Sequence, residues 1–329
     1  MAKENVLQKT GKNIKAVLSN PDERNSIFNG AKNIAFTILR ILILVGVGYV
    51  IVSPIIGMIV SSFASTEDIY NPLLFLFPEH PTLEKYTLVI ERMSYFKTIG
   101  KDLLYTGTVT LIQLLVCSMV GYGFARFNFP FKNLLFACVV IMIVIPAHTI
   151  MLPVYMTFKS FDPFGIVTAI KGSAGLMGTT APVYLMSILG CGVRSGLYIY
   201  IFNQFFRGLP KEIEEAAFVD GAGVWYTYLR IMLVNAMPAV ITVTVFSIVW
   251  QFNDTFYSKL FLISEDVVIS KKISSLASVI ANQDKILNVT LQQQYTNAGI
   301  LLVILPILIL YILLQKQFIE GVERSGIVG

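Results

Sequence analysis

The sequence predicts an all-α membrane protein that crosses the bilayer six times. Composition points first in that direction: 55% of the 329 residues are hydrophobic and 14% charged, with a mean hydropathy of +0.70. Several runs are long and almost free of charge, as membrane helices are. Lys and Arg also gather in alternate connecting segments, which is how a multi-pass chain is oriented.

The first predicted span covers residues 34–62, with Arg40 as its single charge. At about 1.5 Å per residue it exceeds a bilayer core of about 30 Å, so it tilts or protrudes. Further spans are expected at 103–124, 134–155, 181–206, 237–256 and 298–314. The fourth contains Gly-Cys-Gly-Val-Arg-Ser-Gly, with Arg194, and reads as a broken or half-buried helix. Gly46, Gly48, Gly121 and Gly123 read as marks of close helix packing, and Arg40 and Arg194 as residues that snorkel or pair.

Residues 1–33 form a polar segment without the pattern of a cleavable signal peptide. Placing that end inside puts 14 of the 25 Lys and Arg residues on the inner side. Both ends are therefore expected in the cytoplasm, with 319–329 as a tail. The outer connections near 156–180 and 257–297 are long, and the second is polar enough to meet a partner. Arg126 and Lys132 are placed at the membrane edge, around a turn broken by Pro130. Cys117, Cys138 and Cys191 fall in apolar runs without metal or redox spacing and read as small packing residues. No metal site is expected.

Against this background the inner segment 207–235 is unusual, because it holds Glu-Glu-Ala-Ala-Phe-Val-Asp-Gly-Ala-Gly. It reads as two short helices with a hinge. Pro210 suits a first helical turn. Glu212, Glu214 and Glu215 lie near the positive end of the helix dipole. Ile213, Ala216 and Ala217 give one apolar face, and Gly221 is placed to close the helix. Asp220 is poorly placed at a helix C-terminus, so it is expected to cap the next helix or to meet a partner's cation or N–H. A solvated inner loop would show many of the same features.

The segment resembles the signature cytoplasmic loop of ABC-importer permeases. The matching residues are Glu215-Ala216-Ala217, Asp220-Gly221-Ala222, Tyr228, Ile231-Met232-Leu233 and Pro238. Flanking stretches resemble the carbohydrate-uptake branch of that family, in particular its maltose-transporter-like second permease subunit: GYGFARFNFPFKN, MIVIPAHTIMLPVYM, NQFFRGLPKEIEEAA and WQFNDTFYSKLFLIS. Val234 stands where the family usually has proline, so the bend there falls to Asn235 or Pro238. The stretch 161–175 resembles an insertion.

The resemblance implies the type I importer permease fold and a coupling helix seated in a cytoplasmic ATPase. The coupling residues it marks are Glu214, Glu215, Ala216, Ala217, Asp220, Gly221, Ala222, Tyr228 and Pro238. It also implies a second permease subunit, two ATPase subunits, an extracytoplasmic solute-binding protein, and a home in a prokaryotic inner membrane. The chain carries no GxxxxGK[ST] loop, so ATP and Mg are expected on the partner ATPase and no cofactor on this chain. It is expected to be a non-catalytic transport subunit.

Trp250, Gln251, Asn253 and Asp254 are candidates for the substrate path, since aromatic and amide groups suit sugar hydroxyls. Trp at a membrane edge is also a common interface anchor, and Asn253-Asp254 also suit a helix end. A permease for polyamine or phosphate would share the coupling loop. A stand-alone secondary transporter would need intramembrane carboxylates or His for ion coupling; the spans offer essentially none except Asp254 at an edge, and the chain has only two histidines, His80 and His148. Neither HExxH nor a paired intramembrane aspartate points to an enzyme.

Overall fold

The computed structural model describes residues 21–70 and 77–326. These are helical, and no strand occurs among them. The chain forms two compact units. One holds the first helix as far as Ser61, and the other begins at Ser62 and carries the remaining helices. Most of the 1–33 segment and the end of the tail lie outside the described residues.

The first unit is essentially one helix, α1, Pro21–Phe63. Ile41, Leu44, Val50 and Ile51 are exposed around its circumference, as suits a helix hydrophobic all round. The helix begins well before the expected residue 34. Gly46 and Gly48 have no atom within 4 Å of a built Cβ, and the same is true of Gly123. Gly123 therefore does not mark helix packing among the described residues.

In the second unit, α2 (Glu84–Arg92) leads into the long α3 (Tyr95–Arg126). Then come α4 (Lys132–Val144), α5 (Met151–Lys159), α6 (Ile166–Lys171), α7 (Ala181–Ile188) and α8 (Ser195–Gly208). After α9 (Glu212–Val219) and α10 (Val224–Asn235), the chain continues through α11 (Met237–Phe252), α12 (Phe256–Leu260), α13 (Ile269–Gln283) and α14 (Val289–Gly326).

Among the described residues three helices are long and apolar enough to cross a membrane: α1, α3 and α14. Two bent pairs supply two more crossings if each is one span. Residues Lys132–Val144 and Ala147–Lys171 meet at 103°, and α10 and α11 meet at 78°. The third expected span is therefore not straight. Ile145 is extended ahead of Pro146, because proline excludes the helical conformation from its predecessor. The fourth expected span is the broken one: α7 and α8 are separated by 189–194, and Arg194 takes a positive φ of 58°. The sixth starts at Val289, earlier than the expected 298, because 289–297 continue its helix beside α13.

The core nearest the inner loop joins α3, α8, α10 and α11 through Cys117, Tyr122, Tyr198, Phe202, Phe206, Tyr228, Met232 and Val243. Gly121 makes that packing close. A Cβ there would meet Phe202 Cβ at 2.6 Å and the Asn203 nitrogen at 3.0 Å, so α3 and α8 touch backbone to backbone. Cys117 packs in this core, whereas Cys138 and Cys191 are exposed and free, so they are not packing residues within the chain. A second cluster joins α2, α13 and α14 through Val89, Leu276, Ile280 and Ala298. Asp102, on α3, accepts the Ile269 N–H at 2.8 Å and the Thr106 hydroxyl at 3.2 Å. It thereby satisfies an orphan donor at the start of α13.

The candidate coupling site

The site begins where α8 ends. Leu209 is extended, Pro210 follows, and α9 starts one turn on with Glu212, Glu214 and Glu215 in its first turn. Those carboxylates oppose the partial positive charge of the helix start. The far end closes as a Schellman turn. The Ala222 N–H reaches Ala217 O and the Gly221 N–H reaches Phe218 O, both at 3.0 Å. Gly221 has φ +81°, a conformation that glycine adopts without the Cβ penalty of other residues. Gly223 is extended and α10 starts directly after it.

One face of α9 is anchored to α3. Glu214 is 7% exposed. One carboxylate oxygen lies 3.1 Å from Arg126 Nε, and the other accepts the Tyr122 hydroxyl. Arg126 also donates from Nη2 to Leu209 O at 2.9 Å. A single arginine at the end of α3 thus holds both the approach to α9 and its first turn. The Arg126 side chain is buried in this pair. The anchored face is Ile213, Glu214 and Ala217, with Ala216 exposed, so the expected face of Ile213, Ala216 and Ala217 is displaced by a residue. The sequence shows Glu214 as one more loop carboxylate, and only its distant partners reveal it as an anchor.

The helix after the loop is tied to the same place. Tyr228 is buried, and its hydroxyl shares a hydrogen bond of 2.7 Å with Ser118. Its ring lies 5.1 Å from that of Tyr122. A π-helical turn runs over Thr227–Met232. Asn235 donates to Ile231 O at 2.8 Å, and half-buried Pro238 occupies the first turn of α11. The bend between α10 and α11 falls between Asn235 and Pro238, where the absence of proline at Val234 had placed it.

The opposite face is open. Glu215, Ala216, Asp220 and Gly221 are exposed, and Ala222 is half-buried. With them lie apolar side chains that sequence reasoning missed: Phe218 at 41%, Val219 at 87% and Trp225 at 66% exposure. Contiguous exposed apolar side chains rimmed by charge mark interaction surfaces. The signal was present in Phe218-Val219 directly after Glu-Glu-Ala-Ala, but an apolar pair on a short helix reads equally well as core.

The candidate substrate-path residues lie elsewhere, around the end of α11. Trp250 is half-buried and stacked between Tyr198 and Phe246, with ring centroids at 6.2 and 5.3 Å. Gln251 is buried and donates to the Tyr105 hydroxyl at 3.0 Å. Asn253 donates to Val249 O at 2.8 Å. Asp254 accepts the N–H groups of Tyr257 and Ser258 at 3.3 and 3.1 Å. The last two thus end α11 and start α12. Asp68, Glu79 and His80 bring possible metal-ligand atoms within 4.8 Å of one another. The Asp68 carboxylate is already engaged there by the N–H groups of Ser65 and His80.

The chain is similar to known transport proteins over most of its length. Protein LplC of Bacillus subtilis is 28% identical over 93% of this chain and 99% of that protein. The arabinooligosaccharides transport system permease protein AraQ of Halalkalibacterium halodurans is 27% identical over 86% of this chain and 93% of that protein. Among solved structures, a chain of a bacterial ABC transporter involved in import of the acidic polysaccharide alginate superposes with a TM-score of 0.69 at 18% identity. That match covers 87% of this chain and 98% of that one, and it establishes the type I permease fold. Residues 117–322, which include α9 and the α3 residues that anchor it, Tyr122 and Arg126, match the family described as binding-protein-dependent transport system inner membrane component. This protein belongs to that family of multi-pass inner-membrane transport proteins.

Proposed function

We propose that this chain is the permease subunit of an ATP-driven, binding-protein-dependent importer of carbohydrate, and that α9 is its coupling helix. The observation that carries the proposal is the two-sidedness of α9. Glu214 and Ala217 fix one face to the membrane helices, and Phe218, Val219, Glu215 and Asp220 are left free on the other.

An ATPase subunit that receives the free face moves α9. Because Arg126 and Tyr228 tie the loop to α3, movement of α9 is transmitted to α3 and, through the 78° bend, to α11. ATP and Mg belong to that ATPase in this reading. A second permease subunit completes the path, and an extracytoplasmic binding protein delivers the solute. Both ends of the chain lie in the cytoplasm. Carbohydrate is favoured over polyamine or phosphate because AraQ, similar over nearly its whole length, carries arabinooligosaccharides in its name.

Purification of the tagged chain from its native membrane in mild detergent, with mass spectrometry of what accompanies it, tests the reading. A second permease, an ATPase and a solute-binding protein are expected. A chain that purifies alone revives the stand-alone transporter.

A further inference from the structure

Arg194 takes no part in the coupling site, yet its position is unusual for a charge. It is the N-cap of α8, which runs 14 residues from Ser195 to Gly208, or about 21 Å. It therefore stands at the break in the expected fourth span, one α8 length from the coupling loop. Broken backbone and an arginine within a span belong against protein or a water-filled path.

The surroundings of Arg194 are not those of a structural ion pair. Among the described residues no carboxylate lies within 4.0 Å of its guanidinium. The group is instead 5.0 Å from the Trp250 ring centroid, and Trp250 is backed by the Tyr198 and Phe246 rings. The aromatic stack holds the guanidinium in place without neutralising it, while the arginine as a whole stays exposed. One buried polar atom on the residue that follows Trp250 in the chain, the Gln251 side-chain oxygen, lacks a partner among the described residues. Buried polar groups are nearly always satisfied, so this exception calls for a ligand or a second conformation.

We propose that Arg194 lines the substrate path and that the substrate is an acidic saccharide, whose carboxylate the guanidinium binds while Trp250 positions it. The inference rests on the carbohydrate reading above and narrows it to the anionic class. A planar guanidinium with its edge free matches a carboxylate through two parallel hydrogen bonds. The Gln251 oxygen offers a bond to a sugar hydroxyl. A neutral saccharide leaves the cation unmatched within the span, where that is costly.

The test is uptake of labelled trigalacturonate and maltotriose by the complete importer with its own binding protein. Wild type is expected to accumulate trigalacturonate. Arg194→Gln is expected to reduce that uptake by about 10- to 100-fold at limiting substrate, as loss of a charged hydrogen-bonding partner does. Arg194→Lys retains an intermediate rate, and Trp250→Phe raises KM more than it lowers the maximal rate. Both arginine variants should co-purify with the other subunits as wild type does. Uptake unchanged in Arg194→Gln overturns the assignment, as does loss of the second permease subunit from that variant, which would make Arg194 an interface residue. Accumulation of maltotriose alone leaves the carbohydrate reading standing and refutes the anionic class. Accumulation of neither saccharide counts against both.

Discussion

Arg126 Nε lies 3.1 Å from Glu214 Oε2, joining the last residue of α3 to the first turn of α9 across 88 residues of sequence, with both side chains almost wholly buried. A buried pair of this kind is weak evidence for stability, since desolvation offsets much of the attraction. Its value lies in geometry, because it fixes where a short helix sits and what that helix pulls on.

Removal of one partner is the informative change. Glu214→Ala leaves Arg126 buried and uncompensated and should destabilise the coupling-loop end of the molecule by about 3–5 kcal/mol. Replacement of both, as Glu214→Leu with Arg126→Met, should recover most of that loss. Thermal unfolding of the detergent-solubilised complex measures the stability. ATP-driven uptake should remain impaired in the double variant, because Leu209 O loses its donor and α9 its fixed position. Full uptake in the double variant would show that the pair has no part in coupling.

Changes on the free face should behave in the opposite way. Val219→Asp and Glu215→Lys alter exposed side chains, so each should shift stability by no more than about 0.5 kcal/mol. Each should nevertheless lower retention of the ATPase on purification and uncouple hydrolysis from uptake. Wild-type retention and coupling would remove this face from the interface.

Gly221 carries a separate prediction. Its φ of +81° with open space around the missing Cβ means that Gly221→Ala is strained by the backbone alone, at a cost of about 1–2 kcal/mol. Gly221→Asn, better tolerated in that conformation, should cost less, while Gly221→Asp also adds a charge to the free face and should uncouple transport. Equal stability for the alanine and asparagine variants would contradict the turn geometry.

The loop around His80 predicts a pH dependence. The His80 ring contacts Asp68 at 3.3 Å, and that hydrogen bond raises the imidazole above its ordinary range. Burial pushes the Asp68 carboxyl up, but the N–H groups of His80 and Ser65 and the His80 ring outweigh it and hold it low. The His80 contribution is therefore complete below about pH 6.5 and is lost as pH rises through the folded-state value; the Asp68 contribution is present above about pH 3.9 and fades on acidification. The chain has two histidines, so an NMR titration of histidine-labelled protein resolves His80. Asp68→Asn should bring its midpoint down.

Much of this arrangement was legible in the sequence because membrane helices are written in long apolar runs and turns in glycine and proline. The break at Arg194, the closure at Gly221 and the bend before Pro238 were each readable for those reasons. What escaped depends on long-range pairing. Glu214 and Arg126 look like two more inner-side charges until the α3–α8 packing at Gly121 brings their helices together, and Asp102 looks like a span edge until α13 presents its first N–H. The exposed Phe218, Val219 and Trp225 escaped because an apolar residue on a short amphipathic helix reads first as core.

The central claim is that α9 turns one face to its own membrane helices and the other to an ATPase. Photo-crosslinking from position 219 in the intact native complex, with position 217 as the buried control, tests it directly. The account predicts a crosslink from 219 to an ATPase subunit, and from 217 to this chain alone. A probe at 219 that never reaches a second protein, or one at 217 that does, would contradict it.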